Sequence, residues 1–261
     1  MKEDYSELAS NKELEEKVAI VTGGNSGIGK AISELFASEG AKVMITDLQD
    51  SGVTKGIEAK GGVAKFHRTD VRSLEQVRKL IDQTISEFGK IDLLINDAGV
   101  EQNRPVIETS EEEWDKILDT NLKGIFLTSK FAFPYLTKSK NGAIVNIASQ
   151  LAQAALPGRA AYCASKAGVV MLTKVLAVEY STYGVRVNCV SPGPIQTPML
   201  DRTNELNKDP VEARRVLISK VPLGRTGEAG EIAQAVLYLV SSRSSYVTGH
   251  NLVVDGGYTV S

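Results

Sequence analysis

Cysteine and histidine are nearly missing from this 261-residue chain, which has Cys163, Cys189, His67 and His250 and no others. None of the four stands at Cys-x-x-Cys or other ligand spacing, so neither a zinc site nor a disulfide framework is expected, and no metal is assigned. An excess of charge is missing too: 30 Lys and Arg against 32 Asp and Glu leave a net charge of −2. No basic field invites nucleic acid or anionic lipid as a partner. Apolar runs are broken by charge or glycine before the roughly 20 residues that a membrane span takes. Met1 to Lys17 is charged and has no apolar stretch of the secretory type. These absences predict a cytoplasmic protein in a reducing compartment.

What is present is the composition of a globular chain, 42% hydrophobic and 24% charged, long enough for one large α/β domain or two small ones. Residues 1–16, rich in Glu and Lys, read as an extension that frays or docks weakly, and the folded domain is expected over 17–261. Val18 to Val21 is β-prone and runs into Thr22-Gly23-Gly24-Asn25-Ser26-Gly27-Ile28-Gly29, followed by a helical pattern to about Gly40. Strand, glycine-rich turn and helix together aim backbone N–H groups at a phosphate. A second strand, Lys42 to Thr46, ends in Asp47, near the roughly 20-residue offset at which an acid meets the adenosine ribose hydroxyls. A carboxylate there repels a 2′-phosphate, so NAD is expected ahead of NADP.

The same alternation continues. Val63 to Thr69 delivers Asp70 and Val71, Ile91 to Ile95 delivers Asn96-Asp97-Ala98-Gly99, and Ala143 to Ala148 delivers Ser149. Val185 to Val190 leads to Pro192-Gly193-Pro194-Ile195-Gln196-Thr197, and a last strand is expected at Asn251 to Val254. Ser73-x-x-Gln76 and Ser110-x-x-Glu113 predict capping boxes. The second box opens a long helix through Asn121 to about Leu136, apolar nearly all round and therefore expected to be covered by a second copy as well as by the sheet. Such alternation predicts a single-domain, Rossmann-type, doubly wound parallel sheet of about seven strands with helices on both faces. The polar, proline-flanked stretch 194–222 lies beyond a strand's C-terminal end, the natural place for a substrate lid.

Tyr162 and Lys166 stand four apart in an Ala-rich helical segment, Gly158 to Ser181, so they share one face. A cation beside a phenol favours the phenolate and makes tyrosine usable as a general acid or base. Taken alone, the pair is equally an ordinary helix surface pair.

With these pieces in order the chain resembles the short-chain dehydrogenase/reductase family from Lys17 to Tyr258. The resemblance is carried by Thr22-Gly-x-x-x-Gly27-Ile28-Gly29, Asp70-Val71, Asn96-x-Ala98-Gly99, Asn121, Ser149, Tyr162-x-x-x-Lys166, Pro192-Gly193 and Asp255-Gly256-Gly257. It implies an NAD(H)-dependent oxidoreductase in which Tyr162 exchanges the proton, Lys166 tunes Tyr162 and holds the nicotinamide ribose, Ser149 holds the substrate oxygen, and Asn121 holds a relay water. Cofactor contacts would come from Gly23, Asn25, Ser26, Gly27, Ile28, Gly29, Asp47, Asp70, Val71, Asn96, Ala98, Gly99, Tyr162, Lys166, Pro192, Gly193, Ile195 and Thr197. In the family Asp70 meets the adenine amino group, while Ile195 and Thr197 hold the carboxamide. One departure stands out, because Asp97 replaces the usual second asparagine.

The surrounding texture is similar to glucose 1-dehydrogenases and to polyol or sugar dehydrogenases, whereas Pro222-Leu-Gly-Arg225 is also usual in 3-oxoacyl-acyl-carrier-protein reductases. Glu101, Gln150, Gln153 and Arg159 are the candidate substrate contacts. Glu101 and Arg159 are alternatively surface or interface charges, and Arg159 could instead capture a carboxylate. An NAD-sensing binding module without turnover and a dehydratase or epimerase of the extended branch are the readings of other kinds. The family association further implies a homotetramer.

Overall fold

The protein was described from a computed structural model, over residues 12–101, 103–205 and 209–261. Its core follows from strands that are apolar at nearly every position. In β1 (Val18–Thr22) and β2 (Lys42–Asp47), Ala19, Val21, Val43 and Ile45 face one hydrophobic cluster while Ile20 and Met44 face another. Leu93 and Ile95 of β4 (Leu93–Asn96) likewise oppose Leu94, and Ala143 and Val145 of β5 (Ala143–Ile147) oppose Ile144. Strands buried on both faces belong in a parallel sheet covered by helices on both sides.

The sheet is seven-stranded and parallel throughout, in the order β3-β2-β1-β4-β5-β6-β9, with β3 (Val63–Arg68), β6 (Arg186–Pro192) and β9 (Asn251–Val254) completing it. On one face lie α1 (Gly27–Ser38), α2 (Val53–Ala59) and α9 (Ala229–Val240). On the other lie α3 (Leu74–Phe88), α5 (Gly124–Leu136) and α6 (Ala160–Ser181), with α4 (Glu111–Leu118) leading into α5. The strand order reverses between β1 and β4, which opens a crevice beyond their C-terminal ends. Over it stand α7 (Pro198–Glu205) and α8 (Pro210–Ser219), joined to the body by the short pair β7 (Ile195–Gln196) and β8 (Gly227–Glu228).

Several local expectations change. The extension does not end at residue 16 as a loose segment: Leu14 is buried in the core and donates its N–H to Glu39 O at 3.0 Å. Residues 1–11 lie outside the described part. Strand β4 begins two residues later than expected because Asp92 clasps its entrance, its carboxylate accepting the Val18 N–H at 2.9 Å. The Ser110 box forms in full, but Ser73 caps one way only, since Gln76 Oε1 turns to the Asp70 N–H at 2.9 Å. The long helix is interrupted by a π-turn at Asp119–Lys123, the kind of insertion that re-aims a functional side chain, and Asn121 lies in it. By length and composition α6 would pass for a membrane-crossing helix, with a mean hydropathy of 1.4 over an 18-residue window, although Lys166 and Lys174 break its apolar run as expected. It nevertheless packs on β6 and carries the buried Lys166.

Candidate active site

A cavity of about 920 Å³ fills the crevice. It gathers residues from every expected strand end: Gly23, Ser26, Gly27 and Ile28 after β1, Asp47 after β2, Asp70 and Val71 after β3, Ala98, Gly99 and Glu101 after β4, and Ser149 and Gln150 after β5. Arg159, Tyr162 and Lys166 come from the start of α6, and Pro192, Gly193, Ile195 and Thr197 from the end of β6.

The glycine-rich turn is shaped for close backbone approach. Gly23 and Gly27 have φ of +67° and +51°, which favour glycine, and a Cβ on Gly29 would lie 2.3 Å from Gly23 O. Helix α1 starts at this turn, and its N-cap Ser26 makes no side-chain cap, so first-turn N–H groups remain for a ligand anion. Of the buried side-chain oxygens without a partner, among the described residues, Thr46 Oγ1 and Gln150 Oε1 belong to residues that line the cleft. A turn with no room for side chains, open helix N–H groups and orphaned acceptors fit a dinucleotide with a hydroxylated substrate beside it.

At the reacting end, Tyr162 and Ser149 line the cavity together, and the Ser149 hydroxyl accepts the Leu151 N–H at 3.1 Å. Lys166 Nζ sits 5.6 Å from the Tyr162 ring centroid and donates to Ile147 O at 2.8 Å. Burial pushes the Tyr162 phenol up to about 12, and the Ser149 hydroxyl opposes this. Burial pulls the Lys166 ammonium below the usual lysine range, against the attraction of Asp97. Desolvation raises the Glu101 carboxyl, opposed by Arg159 and then by Arg202.

Five expected contacts do not line the cavity. Asn96 is buried within the sheet, donating to Asn146 Oδ1 at 2.8 Å and accepting from Thr128 Oγ1 at 2.7 Å, so it braces β4 against β5 and α5. Asn25 donates to Gln49 O at 2.6 Å and holds the turn to the β2 exit. Gly29 lies beneath the turn. Asn121 is fully buried, its Nδ2 donating to Val100 O at 2.8 Å and Ser165 Oγ at 3.1 Å while its Oδ1 accepts the Val100 N–H. Its amide therefore locks the β4 exit to α6. Gln153 is exposed and is not among the residues that line the cavity.

Two further residues are placed differently from expectation. Both Asp70 oxygens are engaged by Arg72, at 2.6 Å for the closest contact, which holds this carboxyl below its usual range. Arg159 is no surface charge: it is 6% exposed and pairs with Glu101 at 3.1 Å inside the cleft. Arg202 of α7, not foreseen from sequence, enters the same lining because α7 stands over the cleft. The attraction between the buried Asp97 and Lys166 was also not foreseen, although the replacement of asparagine was visible in the sequence.

A Rossmann-type doubly wound sheet whose crevice joins a glycine-rich turn to a Ser-Tyr-Lys cluster defines a class of nicotinamide-dependent oxidoreductases, and the chain belongs to the short-chain dehydrogenase/reductase family. The pattern of a family described as enoyl-(acyl carrier protein) reductase matches residues 23–259. The chain is similar to the 3-oxoacyl-acyl-carrier-protein reductase FabG of Thermotoga maritima, with 39% identity over 95% of this chain and 99% of that one. It is also 38% identical to cyclopentanol dehydrogenase of Comamonas testosteroni, over 94% of this chain and 98% of the relative. Among solved structures, ligand-free aldohexose dehydrogenase of Thermoplasma acidophilum superposes with a TM-score of 0.89 at 36% identity, over 97% of each chain.

Proposed function

We propose that this protein is an NAD(H)-dependent dehydrogenase of neutral secondary alcohols, with sugars and polyols the favoured substrate class. The observation that carries the reading is the gathering of Ser149, Tyr162 and Lys166 in one cavity with the glycine-rich turn and Asp47, with Lys166 Nζ 5.6 Å from the Tyr162 ring centroid. When bound, the nicotinamide supplies the hydride acceptor or donor, and the protein supplies position and protons. Ser149 holds the substrate oxygen. Tyr162 gives that oxygen a proton during ketone reduction and takes one during alcohol oxidation, with Lys166 the nearby cation that favours the phenolate. Because burial keeps the phenol protonated, alcohol oxidation gains rate as pH rises from about 7 to about 9. Asp47 lines the cleft beside the β2 exit and disfavours a 2′-phosphate.

Arg159 is matched by Glu101 and therefore offers little net charge to a carboxylate, while Gln150 Oε1 offers an acceptor to a second hydroxyl. Both features support a neutral, hydroxylated substrate. Initial rates with NAD and NADP on aldoses, polyols, sugar acids, 3-hydroxyacids and simple secondary alcohols test this. Turnover of an aldose, polyol or cyclic alcohol with NAD is expected. Activity confined to NADPH-driven reduction of a 3-oxoacyl thioester would replace the reading with the acyl-carrier-type reductase, which the Thermotoga relative favours.

The polar stretch 194–222, with α7 and α8 over the cleft, is the substrate lid in this reading. The assembly is a homotetramer, supported by an apolar face on α5 and α6 where Phe126, Met171 and Val178 are exposed. Sedimentation at micromolar concentration is expected to show a tetramer, and a monomer there would contradict it.

A further inference from the structure

Asp97 is the charged residue of Asn96-Asp97-Ala98-Gly99, where the family resemblance leads one to expect an amide. Its side chain lies in the space left by Gly29, and its backbone runs against Gly23. A Cβ on Gly29 would come within 2.6 Å of Asp97 Oδ2, and one on Gly23 within 3.2 Å of the Asp97 carbonyl carbon. The Gly29 N–H, in the first turn of α1, favours the ionised Asp97 carboxyl, and the Asp97 N–H donates to Thr22 Oγ1 at 3.1 Å. Asp97 also lines the main cavity together with Ser26, Gly27 and Ile28. The carboxyl thus lies at the α1 N-terminus, where negative charge is favoured.

A bound dinucleotide brings a pyrophosphate, with two negative charges, to that same helix end. Among the described residues, the charged groups that face Asp97 are Lys166 from α6 and Asp47 from β2, while α1 and β1 turn only an N–H and a hydroxyl toward it. One buried ammonium cannot balance two carboxylates and a pyrophosphate in a cleft of low polarity, just as paired carboxylates cannot both stay ionised at close range. Neutralising Asp97 removes the conflict with no change of shape.

Resting on the dinucleotide reading given above, we propose that Asp97 takes up a proton from solvent when the dinucleotide binds. Coenzyme association and protonation of this residue are then one linked event. Burial already raises this carboxyl well above the usual range, with the charge of Lys166 opposing and that of Asp47 assisting, so the proton is available near neutral pH. The linkage requires affinity to fall by up to about tenfold per pH unit above neutrality. NADH, which carries one more negative charge than NAD⁺, shows the larger uptake.

Infrared difference spectra on adding NADH to the wild-type protein and to Asp97→Asn test this, with calorimetry on the same samples. Asparagine keeps the shape and an acceptor for Gly29, so the variant isolates the proton. The expected result is a new carbonyl band of a protonated carboxylic acid in wild type and none in the variant. At about pH 8.5 the variant should also bind NADH about tenfold more tightly than wild type, and at about pH 6 equally. Binding heat without that band in wild type, or a band that persists in Asp97→Asn, would overturn the inference while leaving the dinucleotide reading intact. Absence of binding heat with NADH or NADPH at every pH would overturn both.

Discussion

Tyr162→Phe is expected to lower kcat for alcohol oxidation by about 10²–10⁴-fold, the usual contribution of a positioned proton-transfer group. The phenylalanine keeps the ring beside Lys166 and removes only the hydroxyl that shares the cavity with Ser149. Because α6 is set by its burial on β6 and by the Lys166 Nζ to Ile147 O bond, the helix stays in place. NADH binding measured by calorimetry should therefore change by only a few-fold, within the worth of one hydrogen bond. A large drop in kcat with nearly unchanged dinucleotide binding separates a proton-transfer role from a structural one. Retention of more than about a tenth of wild-type kcat would remove Tyr162 from the chemistry.

The largest effect on stability is expected at Asp92, which is 3% exposed at the entrance to β4. Its carboxylate accepts the Val18 N–H at 2.9 Å and the Ser139 hydroxyl at 2.6 Å, and pairs with Lys90 at 3.1 Å and Lys17 at 3.7 Å. Burial works to raise its pKa, but these partners together prevail and hold it below the usual range. Asp92→Ala strands a buried N–H, a hydroxyl and two lysines at once, and should cost about 3 kcal/mol in denaturant unfolding at fixed protein concentration. A carboxyl whose pKa is depressed by folding stabilises the protein above its unfolded value of about 4, and that part is lost as pH falls through the folded value. The gap between wild type and variant should accordingly narrow below about pH 4. A gap under about 1 kcal/mol at neutral pH would mean that Asp92 is not the clasp between β1 and β4.

The fold was largely legible because its signals are local. Apolar strands of four to seven residues, glycines at forced turns and the Ser110 capping box each act within one element or its neighbour. The strand ends converge on one cleft, as the alternation of strands and helices leads one to expect. The losses are of a different kind. Asn96, Asn25 and Asn121 carry the same amide group as any ligand contact, and only their partners in distant elements turn them into braces. Gln153 lies three residues beyond Gln150, yet the short helical turn Gln150–Ala152 leaves one buried at the cavity and the other outside.

By itself the sequence determined the parallel α/β class, the glycine-rich turn, the family and the membership of Ser149, Tyr162 and Lys166 in one site, because periodicity and motif order are written along the chain. Tertiary structure alone decided which charges meet. Arg159 found Glu101, 58 positions away, and Asp97 found both Lys166 and the N-terminus of α1. Electrostatic pairing depends on distance and burial rather than on order in the chain, so the ionisation of the site became readable only when the strand ends were brought together.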